Sequence, residues 1–129
     1  MNGCEDLVKG IGIDIVEVNR IKKIYERYPL RMRARILTQR EQEYVFSKKN
    51  PWPNLAGRFA AKEAVMKSLG AGWGKTGFRE IEIFNDQTGK PQVLLSGKAA
   101  LRSKQLGIST IWVSISHDGK YAIAQALAE

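Results

Sequence analysis

Asp14 and Glu63 are the two carboxylates of this chain least explained by solvation. Asp14 stands between Ile13 and Ile15, and Glu63 lies in L-A-G-R-F-A-A-K-E-A-V-M-K-S-L-G, residues 55–70, with Arg58, Lys62 and Lys67. A magnesium ion takes one or two protein carboxylates, keeps several waters and accepts phosphate oxygens, so two acids can hold it against a phosphorylated ligand. The three cations supply the positive charge such a ligand needs. The alternative is a set of internal ion pairs, which perturb charged groups much as functional sites do. His117 is the only histidine, which removes a His-rich zinc site. Taken alone, a histidine beside a turn reads as a surface or packing residue.

The elements that must position these groups follow from periodicity. Residues 8–18 read as a strand with Ile11, Ile13 and Ile15 on one face and Gly12, Asp14 and Val16 on the other. A helix from about Asn19 presents Ile21, Ile24, Tyr25 and Tyr28 and ends before Pro29. Thr38 and Glu41 form a capping box for a short helix carrying Tyr44 and Val45. Residues 50–54, N-P-W-P-N, read as a stiff loop into the main helix. That helix has Leu55, Phe59, Met66 and Leu69 on one stripe, with Lys62 at its centre by angle. Its opposite side, Ala56, Gly57, Ala60, Ala61, Ala64 and Ser68, is small enough for another backbone to approach. Both sides look packed, so the charges on this helix need partners.

Further on, residues 80–84 and 92–95 read as paired strands around a turn at 85–89. Ser96 is positioned to cap a helix that stops at Gly107. Residues 110–117 and 120–128 form a hairpin whose turn signal is Asp118-Gly119. Two motifs fail on context. Gly72-Trp73-Gly74-Lys75-Thr76-Gly77 matches G-x-G-x-x-G but follows a helix and precedes a strand, the reverse of a dinucleotide fingerprint. A P-loop around G-K-T would need glycine where Leu69 stands.

With 129 residues, 43% hydrophobic and 26% charged, the chain suits one globular domain over residues 1–129, with 1–7 as a flexible tail. Cys4, the single cysteine, excludes a disulfide framework. No signal peptide or membrane-length apolar run is present, so a cytoplasmic location is expected. The net charge of +8 is concentrated: Arg20, Lys22, Lys23, Arg27, Arg31, Arg33, Arg35 and Arg40 face one acid, Glu26, between positions 20 and 40. Such a region suits an acidic partner, and the long-range field alone does not distinguish nucleic acid, anionic membrane or acidic protein.

Three blocks then carry a family resemblance. G-I-G-I-D-I-V-E-V-N-R-I at 10–21, R-F-A-A-K-E-A-V-M-K-S-L-G at 58–70 and V-S-I-S-H-D at 113–118 resemble the short-form 4′-phosphopantetheinyl transferases, the holo-acyl-carrier-protein synthases. The resemblance runs in order from Gly10 to Glu129. It implies an α+β fold in which a small, mostly antiparallel sheet packs against a central helix. It implies transfer of 4′-phosphopantetheine from coenzyme A to a serine of apo acyl carrier protein, releasing adenosine 3′,5′-bisphosphate and supporting fatty acid biosynthesis.

Carried over by position, the resemblance makes Asp14 and Glu63 the Mg²⁺ ligands. Glu63, or a metal-bound water that it orients, is the candidate base, and Lys67 lies near the pyrophosphate. Arg58, Lys62, Gly70, Ser116 and His117 complete the implied coenzyme contacts, and Arg20, Arg27 and Arg31 meet the acidic carrier protein. Longer relatives place a third acid two residues after the first; Val16 stands there, so water would fill that position. Those relatives are built as two similar halves, so the short chain is expected to form a homotrimer with shared sites. Nucleic acid and membrane are not expected partners. A basic nucleic-acid-binding domain remains the alternative, although it leaves Asp14 and Glu63 without a purpose and sets them against phosphate. A third reading is an adaptor whose helix is merely ion-paired.

Overall fold

The computed structural model describes residues 7–70 and 76–129. The tail with Cys4 and the glycine-rich connection as far as Lys75 lie outside the described residues. Strand β1, Gly10–Glu17, pairs antiparallel with β5, Tyr121–Ala128, placing Asp14 opposite Ala124. Strand β4, Ile111–His117, lies on the far side of β5, giving the order β1-β5-β4. Strands β2, Ile81–Asn85, and β3, Pro91–Leu95, form a separate hairpin. The helices are α1, Val18–Arg27; α2, Pro29–Arg35; α3, Gln39–Phe46; α4, Trp52–Ser68; and α5, Gly97–Gln105. This is the expected arrangement of small antiparallel sheets around one long helix.

Helix α4 lies against the β1-β5-β4 sheet, meeting β5 through alanines and β1 through glycines, with larger side chains such as Val113 and Ile115 toward β4. Ala122, Ala124, Ala126 and Ala128 of β5 are buried beneath it, and so are Ala60, Ala61 and Ala64 of the helix. On β1 the approach is closer still. A β-carbon added at Gly10 would stand 1.9 Å from the Ser68 carbonyl oxygen, so only glycine lets the two backbones meet there. The glycine and Asp14 side of β1 therefore faces the helix. The isoleucine side is open: Ile11, Ile13 and Ile15 are 65%, 57% and 60% exposed, beside Trp112, Tyr121 and Ile123. An apolar sheet face of this extent is unusual for an isolated chain.

The first helix ends before Pro29 as expected, but the helix that Pro29 opens and the place of Pro53 differ from expectation for one physical reason. Pro29 ends α1 and also opens α2, and Pro53 lies in the first turn of α4 rather than in a loop. First-turn N–H groups have no partner within the helix, so proline removes nothing there, and its fixed φ suits the position. The Thr38–Glu41 capping box is present, with both reciprocal bonds formed. Ser96 occupies the N-cap position of α5 but its side chain makes no cap bond; Glu80 Oε1 accepts from the Ala99 N–H at 3.0 Å instead. At the last hairpin the Asp118 N–H bonds to the Tyr121 carbonyl at 3.1 Å, which puts Gly119 and Lys120 at the corners, one residue later than expected. Gly119 takes φ of 90°, and Asp118 Oδ1 accepts from the Lys120 and Tyr121 N–H groups.

Candidate active site

Direct packing of α4 on β1 brings Asp14, Glu63 and Lys67 to one place. Glu63 and Lys67 are one helical turn apart and share a face. Lys67 Nζ lies 3.2 Å from Asp14 Oδ1 and donates to the Ile13 carbonyl at 2.9 Å. The second Asp14 oxygen, Oδ2, is buried and has no hydrogen-bond partner among the described residues. Glu63 is half-buried, and burial followed by the charge of Asp14 pushes its carboxyl above the ordinary carboxylate value, with Lys67 opposing. Asp14 and Glu63 line a cleft of about 380 Å³ that Arg20, Ile21 and Phe59 also line.

The fit to a hard divalent cation rests on that unpartnered oxygen. A buried carboxylate oxygen with no donor is costly unless a charge or ligand meets it. Among the described residues no group of three histidine, cysteine or acidic side chains gathers to hold a metal. The two carboxylates match a cation that keeps waters and takes its remaining oxygens from a phosphorylated ligand.

Arg58 and His117 come together in a different place. They share a cleft of about 150 Å³ with Tyr44, Gly57 and Asn85. Arg58 is 4% exposed, stacks its guanidinium 4.4 Å over the Tyr44 ring and donates to Asn85 Oδ1, while its buried Nε has no partner among the described residues. Burial lowers its pKa, with Tyr44 and Glu41 opposing. Ser116 does not join this pair. Strand alternation puts it on the open apolar face, beside Ile13, Ser114 and Gln125.

Lys62 corrects the sequence reading. It was expected among the coenzyme contacts, yet it is fully buried and all three ammonium protons are engaged. Its Nζ donates to Glu41 Oε1 at 2.6 Å, the Ile36 carbonyl at 2.7 Å and the Phe78 carbonyl at 3.0 Å. Burial lowers its pKa and contact with Glu41 opposes this. Glu41 also accepts from the Thr38 and Ile83 N–H groups, both at 2.8 Å. Internal ion pairing is thus the right account of Lys62. Glu41 showed in the sequence only as half of a capping box, a local signal silent about a partner 21 positions away. Asn85 gave no signal beyond its place in a turn.

Gly70 ends α4 with φ of 64° and bonds back to the Lys67 carbonyl at 3.1 Å, beside Arg102. Arg20 opens onto the Asp14 cleft from α1. Arg27 and Arg31 flank Tyr28, 5.3 Å and 5.4 Å from its ring. Arg31, Tyr28, Ile21, Ile24, Met32 and Phe59 line a neighbouring groove of about 300 Å³. Cationic rims and apolar floor are therefore continuous with the carboxylate cleft.

The chain is similar to holo-[acyl-carrier-protein] synthase of Caldanaerobacter subterraneus subsp. tengcongensis, 48% identical over 118 residues and 92% of each chain. It is also 48% identical over 121 residues to that of Chlamydia trachomatis serovar D, covering 93% of this chain and 98% of the other. Among solved structures, the Neisseria meningitidis holo-[acyl-carrier-protein] synthase superposes with a TM-score of 0.87 at 35% identity, covering 95% of this chain and 99% of that one. The Helicobacter pylori holo-[acyl-carrier-protein] synthase in complex with coenzyme A gives 0.81 at 33% identity, covering 92% and 99%. Residues 10–126 match the model of the 4′-phosphopantetheinyl transferase superfamily. A likeness that embraces the β1 aspartate, the charged α4 and the closing hairpin alike makes this chain a member of that superfamily.

Proposed function

We propose that this protein transfers 4′-phosphopantetheine from coenzyme A to a serine hydroxyl of apo acyl carrier protein, in the cytoplasm and in support of fatty acid biosynthesis. The convergence of Asp14, Glu63 and Lys67 beside one cleft, with an Asp14 oxygen buried and unpartnered, carries this reading. The new bond joins the serine oxygen to the phosphorus nearer the pantetheine arm. The bridging phosphorus–oxygen bond breaks, and its electron pair leaves with adenosine 3′,5′-bisphosphate. The serine proton passes to Glu63 or to a water that it orients. Lys67 presents positive charge to the pyrophosphate, where negative charge shifts during transfer. Asp14 and Glu63 would hold Mg²⁺, which when bound supplies further charge neutralisation on the same oxygens.

Arg58 and His117 suit the phosphate and adenosine end of the coenzyme, and Ser116 and Gly70 remain proposed contacts for it. Arg20, Arg27 and Arg31 suit an acidic carrier surface, with the apolar groove beneath them for its nonpolar side chains. Arg58 and Glu63 are five residues apart on α4, hence about 140° apart around its axis. One chain therefore turns its two clefts in different directions. A ring of copies joined head to tail would set one subunit's carboxylate cleft against its neighbour's Arg58 and His117 cleft. The open apolar face of the sheet gives such a homotrimer a surface to bury.

The test is product stoichiometry. With coenzyme A, Mg²⁺ and an apo carrier protein, adenosine 3′,5′-bisphosphate should appear in step with loss of the apo form. Release of the bisphosphate without loss of the apo form would mean hydrolysis and would contradict the proposal.

A further inference from the structure

The contact between Lys67 and Asp14 has a chemical consequence for how the site fills. Lys67 Nζ donates to Asp14 Oδ1 at 3.2 Å and is held a second time by the Ile13 carbonyl at 2.9 Å. The two partners differ in freedom: the Lys67 side chain is 52% exposed, whereas that of Asp14 is 17% exposed and fixed on a paired strand. Lysine can leave by rotating its stem, and the aspartate cannot follow. The other Asp14 oxygen has no partner among the described residues, and Glu63 shares the cleft wall with Asp14.

We propose that Lys67 is the counter-ion of Asp14 in the substrate-free enzyme, and that it leaves that carboxylate when a divalent cation and a pyrophosphate arrive together. This rests on the cation reading given above. A divalent ion approaching Asp14 alone either meets the ammonium group at close range or displaces it from a charge-assisted hydrogen bond, and both are unfavourable. A pyrophosphate removes the conflict by giving Lys67 a new acceptor, while its oxygens complete the cation's coordination. Cation and coenzyme therefore bind cooperatively, and by reciprocity each raises the affinity of the other by the same factor. The order of events protects the site: Asp14 stays neutralised until the substrate that needs the cation is present.

The test is calorimetric titration with Mg²⁺ of wild type and Lys67→Met, each without and with coenzyme A and with no carrier protein, after subtracting the cation that coenzyme A binds by itself. Lys67 is half-exposed, so the substitution leaves the fold in place. Wild type should bind Mg²⁺ weakly alone and at least about tenfold more tightly with coenzyme A, within the usual range of coupling between sites. Lys67→Met should bind Mg²⁺ alone several-fold more tightly than wild type and lose most of the enhancement. Equal or weaker Mg²⁺ binding by Lys67→Met alone, or undiminished enhancement in it, overturns the proposal. If neither protein binds Mg²⁺ even with coenzyme A, or if Asp14→Asn binds it as well as wild type does, the cation reading fails and this inference with it.

Discussion

Gly12 lies so close to Ala64 that a β-carbon at position 12 would stand 1.9 Å from the Ala64 carbonyl oxygen and 2.9 Å from the Lys67 β-carbon. Glycine at this point lets helix α4 rest on strand β1, and that contact sets the distance between Asp14 and the helix bearing Glu63 and Lys67. The obstructing atom is backbone, so no rotamer change relieves it. Gly12→Ala should lower stability by about 1–3 kcal/mol or more, as overpacking does. It should also reduce transfer far more than that loss explains at temperatures where the variant is folded. Thermal unfolding and turnover measured together check this; near-normal turnover would mean that the spacing is not critical.

Glu63 carries a stability signature of its own. Its folded-state pKa is raised, chiefly by burial and then by Asp14. The native state therefore binds more protons than the unfolded state between the ordinary carboxylate pKa and the raised one, so this group's contribution falls as pH rises through that window. Above the window the protein carries the cost of an ionised, half-buried carboxylate. Glu63→Gln should accordingly raise the melting temperature at neutral pH in the absence of divalent cations. The gain should vanish below the ordinary carboxylate range, where both side chains are neutral. Melting curves across pH decide it, and a gain that persists in acid would point to another cause.

The basic surface should act on the carrier protein rather than the coenzyme. Charge steering works mainly on association rate and is screened by salt. Replacing Arg20, Arg27 and Arg31 by alanine should raise the carrier's KM and flatten its dependence on ionic strength, with the coenzyme KM little changed. Initial rates over a salt series measure both. A coenzyme KM that rises instead would move the coenzyme site onto the α1 and α2 surface.

Sequence patterns revealed the site unevenly, and the reasons are physical. Asp14 was legible because a strand's period of two placed it with glycine and away from the isoleucines, and the structure turns that face toward α4. Thr38 and Glu41 were legible because a capping box is local. The Lys62–Glu41 pair was not, since helical periodicity gives a residue's angle but not what the rest of the chain brings to it. The helix that Pro29 opens and the helical place of Pro53 were not legible, because proline ends one helix and starts another with the same ring geometry. The separation of Ser116 from His117 follows from strand alternation, yet its meaning depended on which face of the sheet α4 covers.

The proposed sharing of sites between subunits makes a further claim on the assembly. Glu63→Ala and His117→Ala should each be impaired alone, and co-refolding the two should restore part of the activity, because some mixed interfaces receive wild-type residues on both sides. Activity of verified mixed trimers against each parent measures this. No recovery, or full activity in a monomer, would contradict a site built from two subunits.

The intact mass of an apo carrier protein, before and after incubation with coenzyme A and Mg²⁺, tests the central claim most directly. Wild-type protein should add the mass of one phosphopantetheine group, and Asp14→Ala, folded to the same extent, should be slower by about 100-fold or more, the scale on which losing a charge-stabilising group acts. No mass gain with wild type, or an equal rate with Asp14→Ala, would contradict the account.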